Sequence, residues 1–305
     1  MADQLFTCRI CKRQRSVDFS GGGGRAKIRR SKQYGVRCLR GVLGTTPDFL
    51  IIGTQKAGTT SLYRMITAHP QAAPAERKEV HFFETAACTR PMSTLWYRSH
   101  FPNVLHRHRL AGLRNRRMLT GEATPAYLHH PLAPGRVKAA LRNVKLVAIL
   151  RNPVDRAYSH YQMLIRKHRE SLTFEDAIRH DCTKAAGYSY LRRGRYAEHL
   201  ARWFEHFDRG RFLILTLDEL EADRQGVYDR IFDFLGLEPL DVKPQDRGPQ
   251  DPTVRYGHMD KDGSMDNVGI YPAMNPDTRR MLVGYFRPHN ERLRALLKRD
   301  FDWDR

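Results

Sequence analysis

An α/β fold around a central, mainly parallel sheet flanked by helices is what this sequence predicts, and three observations predict it. From Asp48 onward, short apolar runs alternate with amphipathic stretches, the pattern left by βαβ units. Two of the runs, Phe49 to Ile52 and Leu146 to Leu150, are uninterrupted, as buried strands are, and each leads into a turn and a helical stretch. With 305 residues, 41% of them hydrophobic, the chain has enough material for a large domain with a sizeable core.

Taken in order, the first 46 residues stand apart. They hold eleven Lys/Arg against two Asp, a run of four glycines from Gly21 to Gly24 and little hydrophobic periodicity. Residues 1–46 are therefore expected to form a basic, flexible tail with a short helix near Val36 to Leu43, and residues 47–305 one domain. Phe49 to Ile52 is the first strand, and Thr59 to Ala68, opening on hydroxylic residues, the first helix of the domain. Helical spacing recurs over Arg136 to Arg142, then Leu146 to Leu150 reads as a second strand. The next helix, Val154 to His168, has Pro153 at a position suited to a first turn. Further helices are predicted over Thr173 to His180, Tyr190 to Phe207 and Arg224 to Leu235, with a third strand over Phe212 to Leu217. Trp203 and Phe207, four residues apart, belong to a core-facing stripe. A last helix, Thr278 to Lys298, is expected to break at Pro288.

Composition narrows the function classes. The chain carries 53 Lys+Arg against 33 Asp+Glu, a net charge of +20, which points to anionic partners: nucleic acid, phosphorylated cofactors or acidic polysaccharide. The hydrophobic and aromatic content is that of a folded protein, and no apolar run approaches the ~20 residues of a membrane-spanning helix. Five cysteines, at 8, 11, 38, 88 and 182, are an odd and scattered set that argues for a reducing compartment rather than a disulfide framework. With no secretory h-region at the N-terminus, a cytoplasmic location is expected. Cys8 and Cys11 form a CxxC, but no second ligand pair follows at finger spacing, so no metal is expected there.

Asp48 to Ser61 is the most informative stretch. A buried strand runs into a loop bounded by Gly53 and Gly58 and then into a helix, an arrangement that builds an anion cradle from backbone N–H groups and the helix dipole. A phosphate is the expected guest of Lys56, Ala57, Gly58, Thr59, Thr60 and Ser61. The nucleoside triphosphatase pattern GxxxxGK[ST] is not met, since Thr59 stands where that motif has its lysine and the lysine sits inside the loop at Lys56. Nor is a Ser/Thr and Asp pair evident to hold magnesium. A second strand-to-helix turn, Arg151 to Arg156, is also basic. Arg151 can give a bidentate contact to phosphate and Ser159 can donate a hydroxyl, so the two turns together suit a doubly phosphorylated ligand; the bland alternative pairs Arg151 and Arg156 with carboxylates such as Asp155.

PDFLIIGTQKAGTTSLY, followed by HP, KEVHFFE and ILRNPVDRAYSHY, resembles the sulfotransferases that use 3′-phosphoadenosine 5′-phosphosulfate (PAPS), in particular the heparan sulfate N- and 3-O-sulfotransferase group and its bacterial relatives. The likeness extends from about Pro47 to Phe301-Asp302-Trp303. It implies a P-loop-like three-layer α/β fold and transfer of a sulfuryl group without nucleotide hydrolysis or metal. By position, the Lys56 to Ser61 loop would grip the 5′-phosphosulfate, Lys56 would also steady the departing phosphate oxygen, and Arg151 and Ser159 would hold the 3′-phosphate.

Sulfuryl transfer also needs a base for the acceptor proton. In Lys78 to Glu84 an extended backbone puts Glu79 and His81 on one face and Val80 and Phe82 on the other, and Glu79 is the expected general base with His81 in support, as the resemblance also implies. The alternative makes Glu79 a structural partner of Lys78 or Arg77. Gly121 to Tyr127, GEATPAY, resembles the segment lining the family's acceptor cleft, but Ala123 stands where the 3-O-enzymes carry lysine, so one anionic-sugar contact is expected to be missing. The family's late Lys-Gly-Arg clamp falls near Asn267, Val268 and Gly269, with Arg255 or Lys261 as substitutes, while Arg195 or Tyr196 is a further candidate to face the ligands. The leading expectation is thus a PAPS-dependent sulfotransferase acting on a carbohydrate hydroxyl or amine. A nucleotide kinase and a nucleic-acid-binding protein are the competing readings, the latter opposed by the lack of any base-reading motif.

Overall fold

The computed structural model describes residues 34–114, 117–181, 189–241 and 271–304. The alternation of apolar runs and amphipathic stretches resolves into β1 (Phe49–Gly53), α2 (Thr59–Ala68), β2 (Ala72–Pro74), α3 (Ser93–Arg98), α4 (Val104–Arg114), β3 (Leu119–Ala123), α5 (Ala133–Ala140) and β4 (Lys145–Leu150). There follow α6 (Pro153–Arg166), α7 (Phe174–Arg179), α8 (Tyr196–Phe204), β5 (Phe212–Thr216), α9 (Leu217–Ala222), α10 (Arg224–Leu235) and α11 (Pro276–Leu297). A helix over 34–42, α1, precedes them.

The five strands form one parallel sheet in the order β2-β3-β1-β4-β5. Successive side chains of β1 point to opposite faces, and each face is covered. Phe49 and Ile51 pack with Leu62 and Ile66 of α2 and Phe232 of α10, while Leu50 and Ile52 pack with Leu200 and Trp203 of α8 and with Phe301. Helix, sheet and helix therefore make three layers. Because the chain builds β2 and β3 on one side of β1 and then β4 and β5 on the other, the strand order reverses between β1 and β4. That is where such sheets bind ligands, beyond the carboxyl ends of the strands.

Two strands escaped the sequence reading. β2 is three residues long at the sheet edge, and β3 has Gly121 and Glu122 inside it, so neither shows an apolar run. The helix expected over Tyr190 to Phe207 is shorter, Tyr196–Phe204, because its first part is turned into a short 3-10 segment, Arg192–Gly194. The carboxylate of Asp181 sets that turn by accepting from the Ser189 hydroxyl and from the backbone N–H groups of Tyr190 and Leu191. The break expected at Pro288 does not occur: α11 runs through it. Pro288 and Gly284, four residues earlier, both lie on the exposed side, where water can satisfy the carbonyl that the proline deprives of a donor.

Trp203 and Phe207 are core residues, as expected. The stretch after residue 33 packs on the domain. Cys38 is buried, and Gly41 lies so close to α3 that a Cβ there would sit 1.7 Å from the Leu95 carbonyl oxygen. Arg37 binds both carboxylate oxygens of Glu76 at 2.9 Å. The CxxC, Cys182, Arg255, Lys261 and Asn267 to Gly269 lie outside the described residues.

Candidate active site

β1, fully buried, delivers the chain to the sheet's carboxyl edge, and Gly53 lets the turn begin there: a Cβ would fall 2.6 Å from the Leu128 side chain. The loop closes on itself, Thr54 N–H donating to the Ile149 carbonyl at 2.7 Å and Ala57 N–H to the Thr54 carbonyl at 3.3 Å. Gly58, with φ 86°, is the N-cap of α2 and brings no side-chain acceptor, and no acidic residue stands in the first turn. The positive end of the helix dipole is thus presented to the cleft without a resident anion of its own.

At the neighbouring turn, Asn152 caps α6 by accepting from the Val154 N–H at 3.0 Å, and Pro153 fits the first turn. Arg151, at the end of β4, reaches across and donates to the Lys56 carbonyl at 3.0 Å, so the two turns are physically joined. Its own carbonyl accepts from the Tyr196 hydroxyl at 2.8 Å. Tyr196 is therefore a buried support of Arg151 rather than a ligand contact. Arg195 is engaged with the Tyr285 hydroxyl, 2.9 Å from Nε. Asp155 pairs with Arg279 at 2.7 Å, and the buried Arg156 donates to the Tyr190 carbonyl, so neither arginine of the turn takes Asp155 as its partner.

Lys56, Gly58, Thr59, Thr60, Ser61, Glu79 and Arg151 line one cleft, together with Gln55, Pro125, Asp155, Asp218 and Tyr271. Ala57 lies buried under the loop. Ser159 is buried as well and meets the cleft through Tyr271, whose hydroxyl lies 3.4 Å from its Oγ.

The Lys78 to Glu84 segment forms no strand, with Val80 and Phe82 buried and Glu79 and His81 half-exposed. His81 departs from a regular strand, with φ 56°. Lys78 Nζ is 2.6 Å from Glu79 Oε1, His81 Nε2 is 3.2 Å from Glu79 Oε2, and His81 Nδ1 binds the Glu84 carboxylate. Burial acts to raise the Glu79 pKa, but the hydrogen bond from His81 and the charge of Lys78 outweigh it and hold the carboxyl down at about 2. Hydrogen bonds to Glu79 and Glu84 in turn lift His81 to about 9 against the effect of burial. Glu79 and His81 are thus an ionised pair at neutral pH.

What holds this segment was not foreseen. The carboxylate of Glu122 on β3, fully buried, accepts from the Tyr97 hydroxyl at 2.6 Å, the Tyr127 hydroxyl at 3.0 Å, the Thr124 hydroxyl at 2.7 Å and the Val80 N–H at 3.1 Å. Burial pushes its pKa up, opposed by those four donors. Tyr127 also accepts from the Phe82 N–H at 3.0 Å, and the Ala123 N–H donates to the Lys78 carbonyl at 3.1 Å. The same stretch is tied to β1, Thr124 N–H to the Ile51 carbonyl at 3.1 Å and Leu128 N–H to the Ile52 carbonyl at 2.7 Å. GEATPAY is therefore a brace between the phosphate loop and the Glu79 segment. Ala123 itself is buried on the α2 side of the sheet and makes no cleft contact. A glutamate followed by two hydroxylic residues in an otherwise apolar neighbourhood was the signal available for the brace.

His81 is expected to remain protonated through neutral pH and to titrate near 9, and its side-chain NMR shifts followed against pH will show the midpoint. Being raised, this pKa contributes stability that is present below about 6.5 and is lost as pH rises through about 9. Glu84→Gln should bring the midpoint down. A wild-type midpoint at 6.5 would mean that the two carboxylates do not hold the ring.

The family described as Sulfotransferase domain matches residues 46–249. Mouse heparan sulfate glucosamine 3-O-sulfotransferase 3B1 is 29% identical over 85% of this chain, which spans 65% of that relative, just under two thirds of its length. The mouse bifunctional heparan sulfate N-deacetylase/N-sulfotransferase 4 is 30% identical over 83% of the chain and 30% of its own length. Among solved structures, a sulfotransferase from Alicyclobacillus acidocaldarius superposes with a TM-score of 0.65 at 28% identity, over 86% of this chain and all of that one.

Proposed function

Since the chain belongs to the sulfotransferase domain family, we propose that it transfers a sulfuryl group from PAPS to a hydroxyl or amine of a glycan. The observation that carries this reading is the single cleft on which Lys56, the N-terminal turn of α2, Arg151 and Glu79 all open. The α2 terminus, with no acid of its own, fits the 5′-phosphosulfate, and Arg151 fits the 3′-phosphate. PAPS supplies the sulfuryl group and a phosphate leaving group. Lys56 neutralises the charge that grows on the departing oxygen, and the N–H groups of Thr59 to Ser61 orient the phosphosulfate, so the chain's contribution is positioning and charge. Glu79 takes the acceptor proton. The anionic donor beside it works against the pull of Lys78 and His81 and raises its basicity toward what proton transfer requires.

The glycan acceptor rests on the likeness to heparan sulfate sulfotransferases, which include enzymes named for 3-O- and for N-sulfation, so both acceptor atoms belong to the proposal.

Calorimetric titration with 3′,5′-adenosine bisphosphate in the presence of EDTA tests the donor. Binding is expected unchanged without metal, and Arg151→Ala should weaken it by about 1.5 to 3 kcal/mol, the range of a charged hydrogen bond. The loss should be larger than for adenosine 5′-phosphosulfate, which lacks the 3′-phosphate. Equal losses for the two ligands would remove the 3′-phosphate from Arg151, and a strict need for magnesium in both binding and turnover would favour a nucleotide kinase. An acceptor array with labelled donor, read by mass spectrometry, then identifies the sugar and the atom.

A further inference from the structure

The helix α1 is amphipathic in the reverse of the usual sense. Cys38 and Gly41 face α3 and are buried, yet the opposite side, which faces solvent, carries Val36, Leu39 and Leu43 at 58%, 70% and 53% exposure. At 3.6 residues per turn these three lie within about 60° of one another. Leu39 and Leu43 line a shallow groove with Phe101, Pro102 and His106, and Leu105 at the start of α4 is 68% exposed. The Val104 N–H bonds the Leu43 carbonyl at 2.8 Å, so the two helices present one continuous surface. None of these side chains takes part in the cleft.

Arg37 on this helix is paired with Glu76, and the stretch of sequence leading into the helix is basic. Between Arg25 and Arg40 the sequence has seven Lys/Arg, and from residue 19 to 47 it has no Asp or Glu. Arg40 is exposed on α1 beside the apolar side chains, and Arg109 is exposed on α4. We propose that the face made by α1 and the start of α4 docks on an anionic lipid bilayer. The aliphatic side chains enter the interface between headgroups and acyl chains while the basic residues meet the anionic headgroups, the arrangement of helices that lie on membranes rather than cross them. An acidic polysaccharide offers the same charge but no apolar layer to cover Val36, Leu39 and Leu43, and that difference selects the bilayer. The effect is to hold the enzyme at a surface and so to concentrate it near acceptors presented there.

The test is flotation of the full chain with vesicles of phosphatidylcholine, alone or mixed with phosphatidylserine. Binding is expected with the anionic vesicles and should be strongly reduced when the ionic strength rises from ~0.1 to ~1 M, since the Debye length falls from about 10 to 3 Å. The combined variant Val36→Gln, Leu39→Gln and Leu43→Gln should bind at least tenfold more weakly with an unchanged Tm and unchanged adenosine bisphosphate affinity. A second probe does not depend on a loss: Leu39→Trp should bind more tightly and its fluorescence should shift to the blue on anionic vesicles. A wild-type chain that ignores the vesicles, a triple glutamine variant that floats as well as wild type, or a Leu39→Trp variant whose emission does not move would each overturn the proposal. So would light scattering showing that the patch is covered by a second copy of the chain.

Discussion

Glu79→Gln is expected to lower turnover by about two to four orders of magnitude, the usual contribution of a general base, while leaving affinity for 3′,5′-adenosine bisphosphate close to that of the native protein. The amide keeps the size of the carboxylate and one acceptor oxygen but cannot take the acceptor proton. Lys56→Ala should behave differently, harming donor affinity and turnover together, because its ammonium meets charge both in the bound donor and, more strongly, on the leaving oxygen. Steady-state kinetics on the identified acceptor, with calorimetry for the donor, separates the two. His81, at 3.2 Å from Glu79, belongs to the same experiment. If Glu79→Gln turns over near the native rate, the base is elsewhere, and a protonated His81 held by Glu84 is a poor substitute until one of those carboxylates is removed.

Glu122→Leu is expected to cost about 3 to 5 kcal/mol of stability, because it leaves the Tyr97, Tyr127 and Thr124 hydroxyls and the Val80 N–H facing an aliphatic side chain in a dry interior. For a domain of this size the Tm should fall by roughly 6 °C or more. Glu122→Gln keeps one acceptor oxygen and lets the two tyrosine hydroxyls turn to accept from the amide, so its loss should be much smaller. Calorimetric melts of the two variants check this order. If leucine were tolerated as well as glutamine, the four donors would have other partners and the brace assigned to Glu122 would not hold.

The phosphate loop, Arg151 and Glu79 were legible in the sequence because each sits in a local signal: an apolar run ending in glycine, a run ending in arginine and proline, and an alternation of apolar and polar residues. The structure brings these three onto one cleft. The support behind them was not legible. Glu122 reads as a surface charge until four donors converge on it from α3, the stretch after β3 and the Lys78 to Glu84 segment, and that convergence is a tertiary fact. β2 and β3 were missed for a related reason, since a short edge strand and a strand with a buried acid give no hydrophobic period. Ser159 is buried in the fold and borders the cleft by way of Tyr271, a placement its position in the motif does not reveal. At Pro288 propensity predicts an end to the helix, but an exposed position removes most of the cost and α11 continues.

The backbone bonds from Lys78, Ile51 and Ile52 to the 123–128 stretch fix the spacing between the Lys56 loop and the Glu79 segment without using any side chain of the cleft rim. Chemistry and recognition are thereby separable in heredity. Under the proposed function, side chains on the rim can be exchanged one at a time under selection while the spacing of Lys56 and Glu79 is kept.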